Sequence, residues 1–190
     1  MSYRLTEGNK VRLKGKIVKG AQNFEKYLNG KCFKIICKDG MQTEIHFFQD
    51  DFKHLTGIES NLSERDFYLK CKQGLISTGN IRTDQKYDWS TLRGKANRIE
   101  CIHELLYQNA EKTLLLNGLI THTYVFPVAI RNDVLNSCIG FVGNINKARS
   151  LRKAGTSRNT AVEKEIVAIW GRAEGSSAYD ECVYIKSENN

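Results

Sequence analysis

Two short stretches of this sequence carry side chains suited to work on a phosphodiester. The first is Phe52-Lys53-His54-Leu55-Thr56-Gly57. An unperturbed imidazole titrates near pH ~6.5, so His54 can give or take a proton at neutral pH. Thr56 offers a hydroxyl that can orient the ring or meet a phosphate. The second stretch, residues 146–160, holds five cations (Lys147, Arg149, Arg152, Lys153 and Arg158) and no acid. Ser150, Thr156, Ser157 and Thr160 add neutral donors. Arginine grips phosphate through a planar fork, and hydroxyls commonly meet nucleic-acid backbones, so this composition fits a phosphate-holding loop. Each feature also has a plainer reading. His54 can cap or pack a short helix, Thr56 can bond its own helix backbone, and the basic stretch can be a solvated loop.

The other histidines are expected to be structural or solvated: His46 within a strand, His103 on a helix, and His122 between two threonines. Six cysteines are present, at 32, 37, 71, 101, 138 and 182. No Cys-x-x-Cys pair occurs and no Cys/His set has zinc-finger spacing, so no metal or other cofactor is expected. No Walker loop, Gly-x-Ser-x-Gly or His-Glu-x-x-His appears, and the acids do not cluster as a two-metal site requires. The 29 Lys and Arg against 21 Asp and Glu leave +8, which favours a polyanionic partner because each phosphate contact releases counterions. No basic-then-apolar leader opens the sequence and no apolar run is long enough to span a bilayer, so a cytoplasmic protein with reduced thiols is expected, with no membrane partner.

The elements that must position these groups are partly legible. Residues 1–16 carry little apolar material and read as a flexible basic N-terminal arm, leaving 17–190 as a single α+β domain. Ile17, Ala21, Phe24 and Leu28 fall on one helical face, and Asn29-Gly30 supplies a stop. Two β-prone runs, 33–37 and 43–48, flank Lys38-Asp39-Gly40-Met41, a strong hairpin signal. A short helix over 50–56 ends at Gly57. Ser63 and Asp66 form the ends of a capping box for a helix that stops at Gly74. Leu92, Ala96, Ile99, Ile102, Leu105 and Leu106 make a long helical stripe, expected to pack on a sheet. Strands are expected at 124–130, 137–142, 165–170 and 182–185, with Pro127 placing the first at an edge or a bulge. Helices early and strands late give an α+β fold: N-terminal helices and a β-hairpin, then an antiparallel sheet of about four strands.

The element Phe-x-His-Leu-Thr-Gly, followed by Ile58, resembles a phage- and mobile-element-associated branch of the barnase–EndoU–colicin–RelE superfamily of nucleases. The likeness extends to Phe67-Tyr68, to Gly74-Leu75-Ile76-Ser77 and to Arg149-Ser150-Leu151, covering about residues 31–170; the last twenty residues match nothing in it. The resemblance implies N-terminal helices before a four-stranded antiparallel sheet, and cleavage of RNA without a metal. That chemistry needs a base for the ribose 2′-OH, an acid for the leaving 5′-oxygen, and cations for the charge on phosphorus oxygens. On this reading His54, Thr56, Arg149 and Ser150 are catalytic, while Lys147, Arg152, Lys153, Thr156 and Arg158 hold nucleic acid. RNA is the expected partner, joined by an inhibitor or antitoxin protein if the nuclease is a toxin or effector of a phage-related element. A non-catalytic nucleic-acid-binding module, and a regulator whose basic face meets an acidic protein, are the alternatives.

Overall fold

The computed structural model describes residues 4–83, 86–157 and 161–187. The chain divides into two compact units, Met1–Asn29 with Gln49–Ile102, and Gly30–Phe48 with His103–Asn190. The first is helical and the second carries the sheet, so the α+β class holds.

The helical unit contains α1 (Glu7–Tyr27), α2 (Asp51–Thr56), α3 (Glu64–Lys72) and α4 (Trp89–Glu100). Residues 7–16, expected as part of a flexible arm, are the first half of α1. The helix starts early because the Thr6 hydroxyl accepts from the N–H of Asn9 at 3.2 Å, and because Leu13 continues the buried stripe of Ile17, Ala21 and Phe24. Phe24, Phe52 and Tyr68 draw α1, α2 and α3 together, with ring centroids 5.4–5.8 Å apart. Burying each such ring contributes roughly 1.5–3 kcal/mol. The α4 stripe was expected to lie on a sheet; within its unit it packs on α1. A Cβ at Gly20 would sit 3.0 Å from the Ile99 carbonyl oxygen, so the missing side chain sets how closely the two helices approach. The stripe also ends sooner than its period suggests, since α4 stops at Glu100 and Ile102–Leu105 forms a 3₁₀ turn. Among the described residues no helix is long and apolar enough to cross a membrane.

The other unit contains β1 (Lys31–Cys37), β2 (Gln42–Phe47), β3 (Thr113–Ile120), β4 (Val125–Asn132), β5 (Ser137–Val142), β6 (Lys147–Arg152), β7 (Val162–Ala173) and β8 (Glu181–Ile185). The order β1-β2-β6-β5-β4-β3-β7, with β7 pairing back onto β1, closes a seven-stranded barrel, and β8 adds to β7 as an extra strand. The expected sheet of about four antiparallel strands is therefore corrected. Neighbours are antiparallel except β2 and β6, which meet in parallel through His46 and Lys147. Asn146 secures that closure. Its carbonyl accepts from the N–H of His46 at 3.1 Å, and its side-chain amide donates to the Glu44 carbonyl at 2.9 Å. Closure leaves the barrel strands β1 to β6 without a free edge, which would otherwise invite pairing with other chains; β8 lies outside the closed ring.

Two strands escaped the sequence reading for physical reasons. β3 opens on Thr113-Leu114-Leu115-Leu116, and leucine favours helix in isolation. β6 lies inside the basic stretch expected to be a loop. Its buried residues are Ala148 and Leu151, an odd spacing that breaks the two-residue period. The cause is a bulge: Ser150 pairs with Gly140 and Ala148 with Phe141, leaving Arg149 as the extra residue. Pro127 lies in a strand flanked on both sides, not in an edge strand. It is tolerated because β5 pairs with β4 only from Val128 onward. The fully buried Phe33, Ile35, Ile45, Phe47, Ile139, Phe141 and Leu151 form one apolar face, on which Phe47 meets Phe33 and Phe141 edge-on at 5.9 and 5.6 Å.

Candidate active site

α2 is a six-residue helix whose C-terminal end is fixed by Thr56 and Gly57. Phe52 and Leu55 are buried, while Lys53 is partly exposed and His54 exposed. Gly57 takes a φ of 68°, the left-handed stop that its position after the last apolar residue suggests. The Thr56 hydroxyl donates to the Lys53 carbonyl at 2.7 Å and accepts from the Ile58 N–H at 3.1 Å. Thr56 is itself buried, so its hydroxyl fixes the turn that carries His54.

His54 opens on a cleft of about 470 Å³ lined also by Lys53, Glu59, Ser60, Glu64, Arg82, Lys86 and Tyr87. Lys53 donates to the Leu62 carbonyl at 2.7 Å and stands 4.0 Å from the Glu64 carboxylate. The Glu64 carboxyl is held below the usual carboxylate range, first by its own backbone N–H and then by Lys53 and His54. The cleft thus combines an imidazole, two carboxylates, three cations and an aromatic ring. These can move protons, neutralise phosphate oxygens and stack on a base.

The basic residues of β6 belong to the sheet unit. Arg149 is exposed at the bulge, a geometry that turns a side chain away from the regular alternation. Arg152 donates through Nε to the Ser150 hydroxyl and through Nη2 to the Thr123 hydroxyl, both at 3.0 Å, and its guanidinium lies 5.6 Å from the centre of the Phe126 ring. The Lys147 ammonium lies 5.4 Å from the centre of the Phe48 ring. Lys153 is exposed just after β6, and Thr156 falls in the 3₁₀ turn Ala154–Ser157. Arg158 lies outside the described residues.

Two further groupings appear. Arg12 and Lys16 on α1 and Trp89 and Arg93 on α4 line a concavity of about 190 Å³. On the sheet, Cys32 of β1 is in register with His46 of β2 on one side and Arg172 of β7 on the other. The Cys32 Sγ lies 3.4 Å from His46 Nε2 and 3.5 Å from a Glu44 carboxylate oxygen. The other ring nitrogen of His46 lies 3.1 Å from the Glu174 carboxylate. Burial pushes the Cys32 thiol up from its ordinary value.

A model of the family described as phage-Barnase-EndoU-ColicinE5/D-RelE like nuclease4 matches residues 16–188. The chain belongs to this nuclease family. No curated protein and no solved structure matches it. The family span covers the His54 cleft, β6 and the Cys32 cluster, and it runs through β8, beyond the part of the chain in which sequence motifs showed a likeness.

Lys53, Glu59, Glu64, Arg82, Lys86 and Tyr87 line the cleft beside His54, and none of them stands out in the sequence as a site residue. Lys53 is the variable position inside the Phe-x-His element and Glu59 follows Ile58 directly, whereas Glu64 comes from the start of α3 and Arg82, Lys86 and Tyr87 from the segment before α4. The basic concavity had a readable signal, since Arg12 and Lys16, and Trp89 and Arg93, are each one helical turn apart. The Cys32–His46 pairing was hidden because no zinc-finger spacing describes it; the hairpin register creates it.

Proposed function

We propose that this nuclease cleaves RNA without a catalytic metal, by attack of a ribose 2′-OH on the adjacent phosphorus and departure of the 5′-oxygen. The observation that carries the reading is the composition of the cleft at His54: a titratable imidazole, carboxylates and Lys53, Arg82 and Lys86 together. His54 takes the 2′-OH proton or supplies the proton to the leaving oxygen; where His54 is the acid, the carboxylate of Glu64 or Glu59 is the base. The cations stabilise the charge that develops on the phosphorus oxygens. Thr56 acts as a positioning residue. Arg149, Ser150 and Arg152, with Lys147, Lys153, Thr156 and Arg158, hold the RNA backbone. Family membership supplies the nuclease chemistry, and the net charge of +8 favours a polyanion.

The test is purified protein with labelled RNA in excess EDTA, beside His54→Ala. Cleavage should persist in EDTA, leave 2′,3′-cyclic phosphate ends and spare DNA. Activity that vanishes in EDTA and returns with Mg²⁺, or a His54→Ala variant as fast as wild type, overturns the proposal.

A further inference from the structure

The cluster around Cys32 takes no part in the chemistry proposed at His54. It lies on the face of the β1–β2–β7 sheet opposite to Phe33, Ile35 and Phe47, since Cys32, His46 and Arg172 are register partners and alternate with that apolar set. The connection from β7 to β8 supplies Glu174 and Tyr179 to the same cluster. Tyr179 places its hydroxyl 3.4 Å from the Cys32 Sγ. Arg172 ties the connection down by donating to the Ser176 carbonyl at 2.8 Å.

We propose that Cys32, His46 and Glu44 form a binding site for a zinc-class divalent cation. Their three donor atoms stand at 3.4 Å (Sγ to Nε2), 3.5 Å (Sγ to Oε2) and 3.8 Å (Nε2 to Oε2) from one another. Tetrahedral zinc with ordinary bonds to sulfur, nitrogen and oxygen separates such ligands by about 3.4–3.6 Å. The triangle therefore fits one face of a zinc tetrahedron with shifts of a few tenths of an ångström. The donor set, one thiolate, one imidazole and one carboxylate, suits zinc and not magnesium or calcium, which take oxygen ligands.

The surroundings match what such a site requires. A ligating histidine donates its other ring N–H to a carboxylate, which fixes the tautomer and orients the ring. Glu174 stands in that position, 3.1 Å from Nδ1, so Nε2 is left to face the metal. Charge also balances. The Cys32 thiolate and Glu44 offset the divalent ion, and the Arg172 guanidinium, 3.5 Å from Glu44, holds that carboxylate at the cluster. The thiol proton leaves on binding, because the thiolate is the ligand.

A rival use of the same atoms, a Cys–His–Glu nucleophile relay, fails on access. Cys32 is 0% exposed, so no substrate carbonyl or phosphate reaches its sulfur. A metal ion needs only the three ligands and a fourth position, beside the Tyr179 hydroxyl, for water.

The test uses the full chain, stripped with chelator, dialysed and titrated with ZnCl₂ or CoCl₂ alone. Wild type should bind one equivalent with a Kd tighter than about 1 µM. The cobalt form should show a thiolate-to-cobalt charge-transfer band in the near ultraviolet. Cys32→Ser should lose the band and at least ~100-fold in affinity. Glu174→Gln should keep the band and lose about 10–100-fold, since it acts only through His46. Glu174 is exposed, so this variant remains informative if Cys32→Ser fails to fold. Cys182→Ser, which alters an exposed thiol, should bind as wild type. No binding by wild type, affinity unchanged in both Cys32→Ser and Glu174→Gln, or loss of the band in Cys182→Ser overturns the proposal.

Discussion

The Nδ1 atom of His46 lies 3.1 Å from a carboxylate oxygen of Glu174, a residue distant in sequence, and its Nε2 faces the sulfur of Cys32. The hydrogen bond made by one ring nitrogen decides which nitrogen carries the proton. The neutral ring of His46, without metal, should therefore be the Nδ1–H tautomer. Long-range proton–nitrogen correlation spectra report this directly, and Glu174→Ala should release the preference. An Nε2–H signal in wild type would show that Glu174 does not set the ring.

Loss of His54 should act on chemistry and hardly on folding. The side chain is exposed on α2, whereas removing a general acid or base costs about 10²–10⁴ in rate. His54→Ala should fall in that range with RNA affinity within about twofold of wild type. Lys53→Ala should lose both rate and affinity, because a cation acts on ground state and transition state alike. Thermal melts alongside single-turnover cleavage separate these effects.

RNA binding should weaken steeply with salt. Each phosphate neutralised on a single strand adds roughly −0.7 to the slope of log K against log salt, so three or four engaged cations give about −2 to −3. Arg149→Ala should reduce the slope by about one such step and also slow cleavage. Fluorescence anisotropy across a salt series measures it, and a slope near zero in wild type would rule out a phosphate footprint.

Gly57 should tolerate no side chain. Its φ of 68° is costly for an L-residue, and an added Cβ would lie 2.8 Å from Cδ of Lys95. Gly57→Ala should destabilise the protein by about 1–2 kcal/mol, seen as a lower Tm. It should also reduce cleavage, because the residue ends the helix that presents His54.

Stability should fall in acid partly through Glu25. Burial pushes its carboxyl up, but Lys72, Tyr68 and Asn29, which donate at 2.7, 2.5 and 2.8 Å, hold it below the usual value. A depressed carboxyl contributes stability that is present above its unfolded value, near ~4.3, and lost as pH falls through the folded value. Urea melts of wild type and Glu25→Gln should therefore differ at pH 7, with wild type more stable, and the gap should shrink progressively as pH falls below the unfolded value, near ~4.3. A gap that stays constant with pH would mean that Glu25 acts by packing alone.

Local chemistry was legible in the sequence wherever it could be written in a few adjacent residues. Gly40 and Gly57 adopt the positive φ that their turn contexts imply, and Ser63 caps α3 by accepting from the Asp66 N–H at 3.1 Å. The His54 motif pointed to a nuclease family that the match over residues 16–188 bears out. These features rest on backbone sterics and short-range hydrogen bonds, which residue type alone dictates. Tertiary structure decided the rest. Barrel closure rests on the meeting of His46 and Lys147, β6 hides behind a one-residue bulge at Arg149, and Cys32, Glu44, His46 and Glu174 converge only through strand register. Register and closure are set by how whole strands bury their apolar faces against one another, and no local window of sequence contains that sum.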